Sequence, residues 1–402
     1  MTNTWSDRTR VLIIGFLAVS CFIFLAGCQT NTGAVPGAKS SATAQAKPYS
    51  INNESAEVPN TAKGDGVADD TAALQAWLDA GGVRLADGNY RITKGLILTG
   101  NNRILQSVNA TILADGIDIT ALTVRGDNAK VSLHIDGLNH AAYGLKITGS
   151  GALIENGRYE NFRSATQSAR GIDASTSGGI VIRNNWVRNV VSVGDNIGGN
   201  GSGAARGIGL NSEEAARVSS FITGNRIENV TGEEGDGIHA LFFDGASRPF
   251  TGGKVTISDN DISNVSRRFI KVQASYVFVQ RNKLHADVGG APTNPSAAID
   301  IIQSEHVKVL DNSINPLVIG NGIAVNGSPM APLRGIEVRG NVLQETVTQA
   351  GVGIYLKWTV APIVRDNTVT GASAAVQLRS SPGADVEGNE HKQNTVPAAE
   401  LK

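Results

Sequence analysis

One short phrase returns along most of the chain, and it limits what the chain can fold into. It reads VIRNNWV at 181–187, FITGNRI at 221–227, VTISDNDI at 255–262, VFVQRNKL at 277–284, VKVLDNSI at 307–314, IEVRGNVL at 336–343, IVRDNTV at 363–369 and VEGN at 386–389. The aligned residues are Asn185, Asn225, Asn260, Asn282, Asn312, Asn341, Asn367 and Asn389, and an earlier copy, LIENGRY at 153–159, adds Asn156. Spacings run from 22 residues (Asn260 to Asn282) to 40 (Asn185 to Asn225). A unit that recurs with variable insertions marks a solenoid. Each copy alternates Val, Ile and Thr and breaks at Gly and Asn, which are strand and turn signals. The spacing is long enough for three short strands and three turns per coil. Stacked coils pair their strands at ~4.8 Å and fill the interior with ladders of like residues. Asn suits one repeated turn, since it tolerates the left-handed region and its amide can bond the Asn above and below.

A second phrase precedes each Asn phrase: a small residue, an aliphatic one, a variable one, then another apolar or small one. It reads YGLKIT (143–148), RGIDAS (170–175), RGIGLN (206–211), DGIHAL (236–241), RFIKVQ (268–273), AAIDII (297–302), NGIAVN (321–326), GIYLK (353–357) and AVQLR (375–379). Each coil therefore carries at least two aligned strands. Over residues 60–390 this pattern resembles the right-handed parallel β-helix of the pectin lyase-like superfamily. The fold class expected is all-β, a parallel β-helix with a short N-terminal capping helix. The resemblance carries less about chemistry, because the superfamily holds lyases, hydrolases, epimerases, tailspikes and proteins without activity.

The chain has 402 residues, 47 of them Gly and only 5% aromatic, which suits tight turns around a narrow aliphatic interior. Its 35 basic and 36 acidic residues leave a net charge of −1, which removes any whole-chain argument for nucleic acid. Both cysteines, Cys21 and Cys28, lie near the N-terminus, so no disulfide framework is available to the repeats.

Residues 1–28 read as a targeting segment. Arg8 and Arg10 precede the apolar run 11–27, which ends in Leu25-Ala26-Gly27-Cys28 and resembles a bacterial lipobox. That resemblance implies lipid on Cys28, and Gln29 after it implies the outer membrane, with the lipid as the only membrane contact. Residues 29–60 read as a flexible tether. Residues 61–94 read as a cap: Asp69 or Asp70 can start a short helix, Ala73, Leu74, Trp77 and Leu78 share one face, and Gly81 ends it. This stretch resembles the N-terminal entry of the pectate lyase-superfamily domain. The β-helix is expected over 95–392. Gly- and Asn-rich insertions at 193–206, 241–254 and 287–297 belong to neighbouring coils and are placed to wall a groove.

Side chains alternate along a strand, so the residue after each inward aliphatic must point outward. That column reads Lys146, Asp173, Gly209, His239, Lys271, Asp300, Ala324, Tyr355, Gln377. Two residues on it reads Thr148, Ser175, Asn211, Leu241, Gln273, Ile302, Asn326, Lys357, Arg379, and at the strand entrance it reads Arg170, Arg206, Asp236, Arg268. His239, Lys271 and Asp300 should therefore be neighbours on three successive coils, with Gly209 leaving room for a sugar ring. This is a candidate site for an acidic polysaccharide. In a β-elimination, Arg268 would neutralise the substrate carboxylate. Lys271 would hold its charge through Asp300, and His239, with an ordinary pKa of about 6.5, would serve as base. Asp173, Arg206, Asp236, Gln273, Tyr355 and Lys357 would bind substrate. The resemblance also implies that calcium can serve in such lyases; Glu233, Glu234 and Asp236 are the one dense acidic run, without a calcium motif. A glycoside hydrolase needs two carboxyls about 5–9.5 Å apart, and Asp173 and Asp300, four coils apart, would be separated by ~19 Å. Asp236 or Asp244 would approach Asp300 only if loops carried them there. The sequence has no DPHD-type run of the kind that would suggest an alginate epimerase. A non-catalytic polysaccharide-binding or structural surface protein is the remaining alternative.

Overall fold

The computed structural model describes residues 56–175, 178–194, 202–212, 218–242, 254–287, 296–315, 320–344 and 351–392. The targeting segment with Cys28, most of the tether, and large parts of the three insertions, Asp244 included, lie outside the described residues. The rest is a right-handed parallel β-helix. One coil runs through Glu234–Phe242, Val255–Ser258 and Asp261–Val265, then enters the next at Arg268–Gln273. The first strand of every coil joins one parallel sheet of eleven strands, from Leu96–Leu98 to Ala374–Arg379. The other strands stack in two further parallel ladders on either side of the Asn corner.

The aliphatic ladder is as the pattern requires. Leu145, Ile172, Ile208, Ile238, Ile270, Ile299, Ile323 and Ile354 are register partners and wholly buried. Where the residue before the aliphatic is Gly, its size is a packing requirement, whereas the coil of Ile270 carries a buried Phe269 there. A Cβ on Gly207 would come within 2.5 Å of Ile227 Cγ2, and one on Gly322 within 2.2 Å of Leu343 Cδ2. The opposite wall thus fills the space these glycines leave.

The Asn ladder runs unbroken from Asn185 to Asn389. Each Oδ1 accepts from the backbone N–H and the side-chain amide of the Asn one coil earlier, as in Asn185 N and Nδ2 to Asn225 Oδ1, both 3.0 Å. Each Nδ2 also donates to a carbonyl, as in Asn225 to Ile182 O at 2.9 Å. Two sequence expectations need correction here. The left-handed residue is the one before the ladder Asn: Asn184 (φ 55), Asp259 (φ 57), Arg281 (φ 53) and Asp311 (φ 55), with Gly224, Gly340 and Gly388 serving in other coils. Asn156 (φ 55) occupies that same preceding position and is exposed, so it is outside the ladder; Gly157 N takes its place and donates to Asn185 Oδ1 at 2.9 Å.

The helix Thr71–Asp79 closes the N-terminal end of the interior with Leu74, Trp77 and Leu78. Asp70 is its N-cap residue but makes no capping bond, because its carboxylate accepts from Lys63 N and Gly64 N; Asp69 Oδ1 takes Thr71 N instead, at 3.0 Å. The Gln75 amide pairs with both the N–H and the C=O of Ile97, at 2.9 and 3.0 Å, and so satisfies the edge of the first strand of the long sheet.

Candidate functional site

The outward column of the long sheet is in the expected register. Asp173, Gly209, His239, Lys271, Asp300, Ala324, Tyr355 and Gln377 pair in sequence along the stack, and so do Arg170, Arg206, Asp236 and Arg268 at the strand entrance. Burial separates this face into two parts. Asp173, Asp236, His239, Arg268, Lys271 and Asp300 are all buried, His239 to 1% exposure and Asp236 to 0%, whereas Tyr355 and Lys357 are half-buried and Gln377 and Arg379 exposed. The central cluster points away from the aliphatic interior yet is hidden from water. Alternation fixes direction; exposure depends on what else packs over the sheet.

Arg268 organises the cluster. Its Nε donates to Asp300 Oδ2 at 2.8 Å and its Nη1 to Asp236 Oδ1 at 3.3 Å, so one guanidinium ties carboxylates from the coils on either side. Asn326 Nδ2 donates to the other oxygen of Asp300 at 3.1 Å. The expected Lys271–Asp300 pair does not form. Lys271 Nζ lies 3.5 Å from Glu234 Oε2, and Arg267 Nη1 lies 3.4 Å from Glu234 Oε1. Burial pushes the Lys271 ammonium below its usual range, against the pull of Asp236. Burial likewise pushes the Asp236 carboxyl up, against Lys271, Arg268 and Arg206, and its Oδ2 has no hydrogen-bond partner.

His239 is not an ordinary imidazole. Burial, then the nearby Arg206 and Lys271, hold its pKa well below 6.5. Its Nε2 lies 2.9 Å from Gln273 Oε1, which can only accept, so the proton is assigned to Nε2 and the Nδ1 lone pair is left with no partner. Gln273 therefore orients the imidazole. Arg206, one coil earlier, has an unpartnered Nε and, among the described residues, no carboxylate within ion-pair distance; burial, then Arg170, lowers its pKa. Arg170 pairs with Asp173, which also accepts from Asn211 Nδ2 at 2.8 Å. These groups fill the gap at Gly209: a Cβ there would meet Asp173 Oδ1 at 3.1 Å and Asn211 Nδ2 at 3.3 Å, so no sugar ring fits in it. The roles of Asn211, Gln273 and Asn326 lay in the column two residues further on. That column shows only where they point; what they bond depends on rotamers.

The acidic run Glu233, Glu234, Asp236 does not fit calcium. Glu234 faces Lys271 and Arg267, Asp236 faces Arg268, and among the described residues no three His, Cys, Asp or Glu side chains are placed to hold a metal.

By fold, the chain is a right-handed parallel β-helix protein. Residues 258–399, about a third of the chain, match the family described as periplasmic copper-binding protein (NosD). No curated protein matches the chain. Among solved structures it is similar to PfbA, a surface adhesin of Streptococcus pneumoniae, with TM-score 0.55 and 13% identity over 82% of this chain and 89% of that one. It is also similar to the GH87 α-1,3-glucanase of Streptomyces thermodiastaticus strain HF3-3 (TM-score 0.49, 18% identity, 82% and 67% covered). A third is the A-module of the Azotobacter vinelandii mannuronan C-5 epimerase AlgE6 (TM-score 0.48, 16% identity, 82% and 97% covered). The adhesin likeness speaks for the fold alone, and the other two carry nothing about chemistry here. Copper would need clustered imidazole or sulfur ligands. The matched segment offers His285, which meets Asp261, His306, which stacks on Tyr276, His391, which donates to Ala372 O, and the lone Met330. The three imidazoles are engaged separately and Met330 is exposed, so together they do not fit a copper centre.

Proposed function

We propose that this protein is an envelope β-helix that handles an acidic, uronic-acid polysaccharide on the outward face of its long sheet, and that it cleaves the polymer by β-elimination. The observation that carries the reading is His239: oriented by Gln273, held neutral, with an unpartnered Nδ1 near Arg206, which has no carboxylate within ion-pair distance among the described residues. Arg268 is occupied by Asp236 and Asp300, so Arg206 takes the substrate carboxylate in its stead. The reading requires the buried cluster to open to the substrate; His239 Nδ1 then accepts the C5 proton, the C4–C5 double bond forms and the C4–O bond breaks. The Lys271 ammonium, whose pKa burial lowers, returns a proton to the leaving oxygen. Asp300 and Asp236 hold Arg268 and are positioning residues in this scheme. A hydrolytic reading has one observation in its favour: Asp236, with its raised pKa, and Asp300 meet on the same guanidinium, although no loop carries them together. A lipid on Cys28 and a place in the envelope accord with the lipobox resemblance and with the periplasmic description of the matched family.

The test is a panel of uronic-acid polymers followed by ultraviolet absorbance of the unsaturated product and by reducing ends. A lyase raises both, a hydrolase only the second, a binder neither. His239→Ala should lower turnover about 10²–10⁴-fold. Parental turnover by a folded His239→Ala protein would remove His239 from the chemistry.

A further inference from the structure

The buried cluster leaves unanswered where a polymer first touches the protein, and the exposed end of the same sheet offers an answer. Its last two strands, Val352–Lys357 and Ala374–Arg379, set Tyr355 beside Gln377 and Lys357 beside Arg379. Neighbouring parallel strands bring such partners to ~4.8 Å. On the neighbouring ladder of the same coils surface cations find carboxylates, as Lys308 does with Glu337 and Arg365 with Asp385, both at 2.6 Å. Among the described residues no carboxylate lies within ion-pair distance of Lys357 or Arg379. Instead Lys357 Nζ sits 3.8 Å from the centroid of the Trp358 ring.

Trp358 is itself out of place by local rules. It has φ 50, the left-handed region, at the corner where Gln303 (φ 51) and Ser380 (φ 51) follow their own strands. A bulky aromatic is disfavoured there, where Gly would be free of strain. Its backbone is held by Trp358 N to Arg379 O and Leu333 N to Trp358 O, each 2.9 Å, and those bonds need no indole. Strain kept at a half-buried position, beside two cations that have no carboxylate partner among the described residues, points toward ligand binding. The patch is continuous with the buried cluster through Asn326, which is the register partner of Lys357 and donates to Asp300.

We infer that Tyr355, Lys357, Trp358, Gln377 and Arg379 form an exposed subsite for one uronate residue, about 10 Å along the stack from Asp300. The uronate carboxylate lies between Lys357 and Arg379, and the apolar face of its ring packs against the aromatic side chains. The ligand class rests on the proposed function; the location and the residues do not.

The full chain is titrated by calorimetry with oligogalacturonate, oligomannuronate and a neutral glucan, alongside Trp358→Gly, the double variant Lys357→Ala/Arg379→Ala, and Lys308→Ala. An acidic oligosaccharide should bind and the glucan should not. Trp358→Gly should bind about tenfold more weakly or worse with its Tm unchanged or raised. The double variant should lose most of the affinity together with its salt dependence, and Lys308→Ala, which removes a cation from another face, should bind like the parent. Binding by the parent without cleavage would sink the lyase and leave this subsite standing. No acidic oligosaccharide bound by the parent, unchanged affinity in the double variant, or a Trp358→Gly protein that loses stability but not affinity would each overturn it.

Discussion

His239 shows how a residue can be located in advance and still be misjudged. Register alone puts it between Gly209 and Lys271, but its pKa depends on burial and on Arg206, neither of which a strand pattern contains. The shift has a measurable consequence. Above about pH 6.5 the imidazole is neutral in both folded and unfolded chains and costs nothing. Below it the unfolded chain binds a proton that the folded chain, with its depressed pKa, does not, so stability falls as the pH falls. The slope for one such group is about 1.4 kcal/mol per pH unit until the folded pKa is reached. Denaturant unfolding at about pH 7.5, 6 and 5, values that span the ordinary imidazole range, should show a parental loss of stability that His239→Gln lacks. Parallel losses in the two proteins would mean that His239 titrates normally. Asp236, raised in the opposite sense, is common to both proteins and cancels from the difference.

At the scale of the element, the repeating corner is the strongest local determinant. A left-handed residue turns the chain, and the next residue, Asn, bonds both neighbouring coils. Asn312 accepts from Asn282 N and Nδ2 at 3.0 and 2.9 Å, and donates to Val279 O and Asn341 Oδ1. Asn312→Ala therefore strands buried donors and a buried carbonyl in the middle of the stack. A loss of about 3 kcal/mol is expected in urea unfolding. Asn389→Ala, at the half-exposed end of the ladder, should lose less. Equal losses at both sites would show that the ladder is not buried as a unit. The Gly-aliphatic phrase complements the corner: Gly207 and Gly322 are small because Ile227 and Leu343 come from the facing strand to fill their place.

At the scale of the whole molecule, each added coil of the β-helix lengthens the same narrow aliphatic interior, so a chain with 5% aromatics suffices without disulfides in the repeats. The N-terminal end is closed by a helix and by Gln75, while the last strands, Ala374–Arg379 and Glu390–Lys392, are largely exposed. A body that meets polymer along its length works at the envelope if it is held there, and the proposed tie is Cys28. Metabolic labelling with a fatty-acid analogue should mark the parent and leave Cys28→Ser unmarked; label on both would refute lipid at that cysteine.

The sequence by itself determined the coil, because the interior of a β-helix is built from a period. Ile172, Ile208, Ile238 and Ile270 had to stack, and Asn185 through Asn389 had to share a corner, whatever else the chain did. It also determined which residues leave the sheet on the same side as His239. Only the tertiary structure decided that Arg268 rather than Lys271 would take Asp300, that Gln273 would orient His239, and that Asn211 would close the space at Gly209. Only it decided that the central cluster would be buried while Lys357 and Arg379 would not. Alternation dictates direction at a spacing of two residues. Long polar side chains reach across one or two coils, and their choice among several partners follows from distance, rotamer and solvent exclusion.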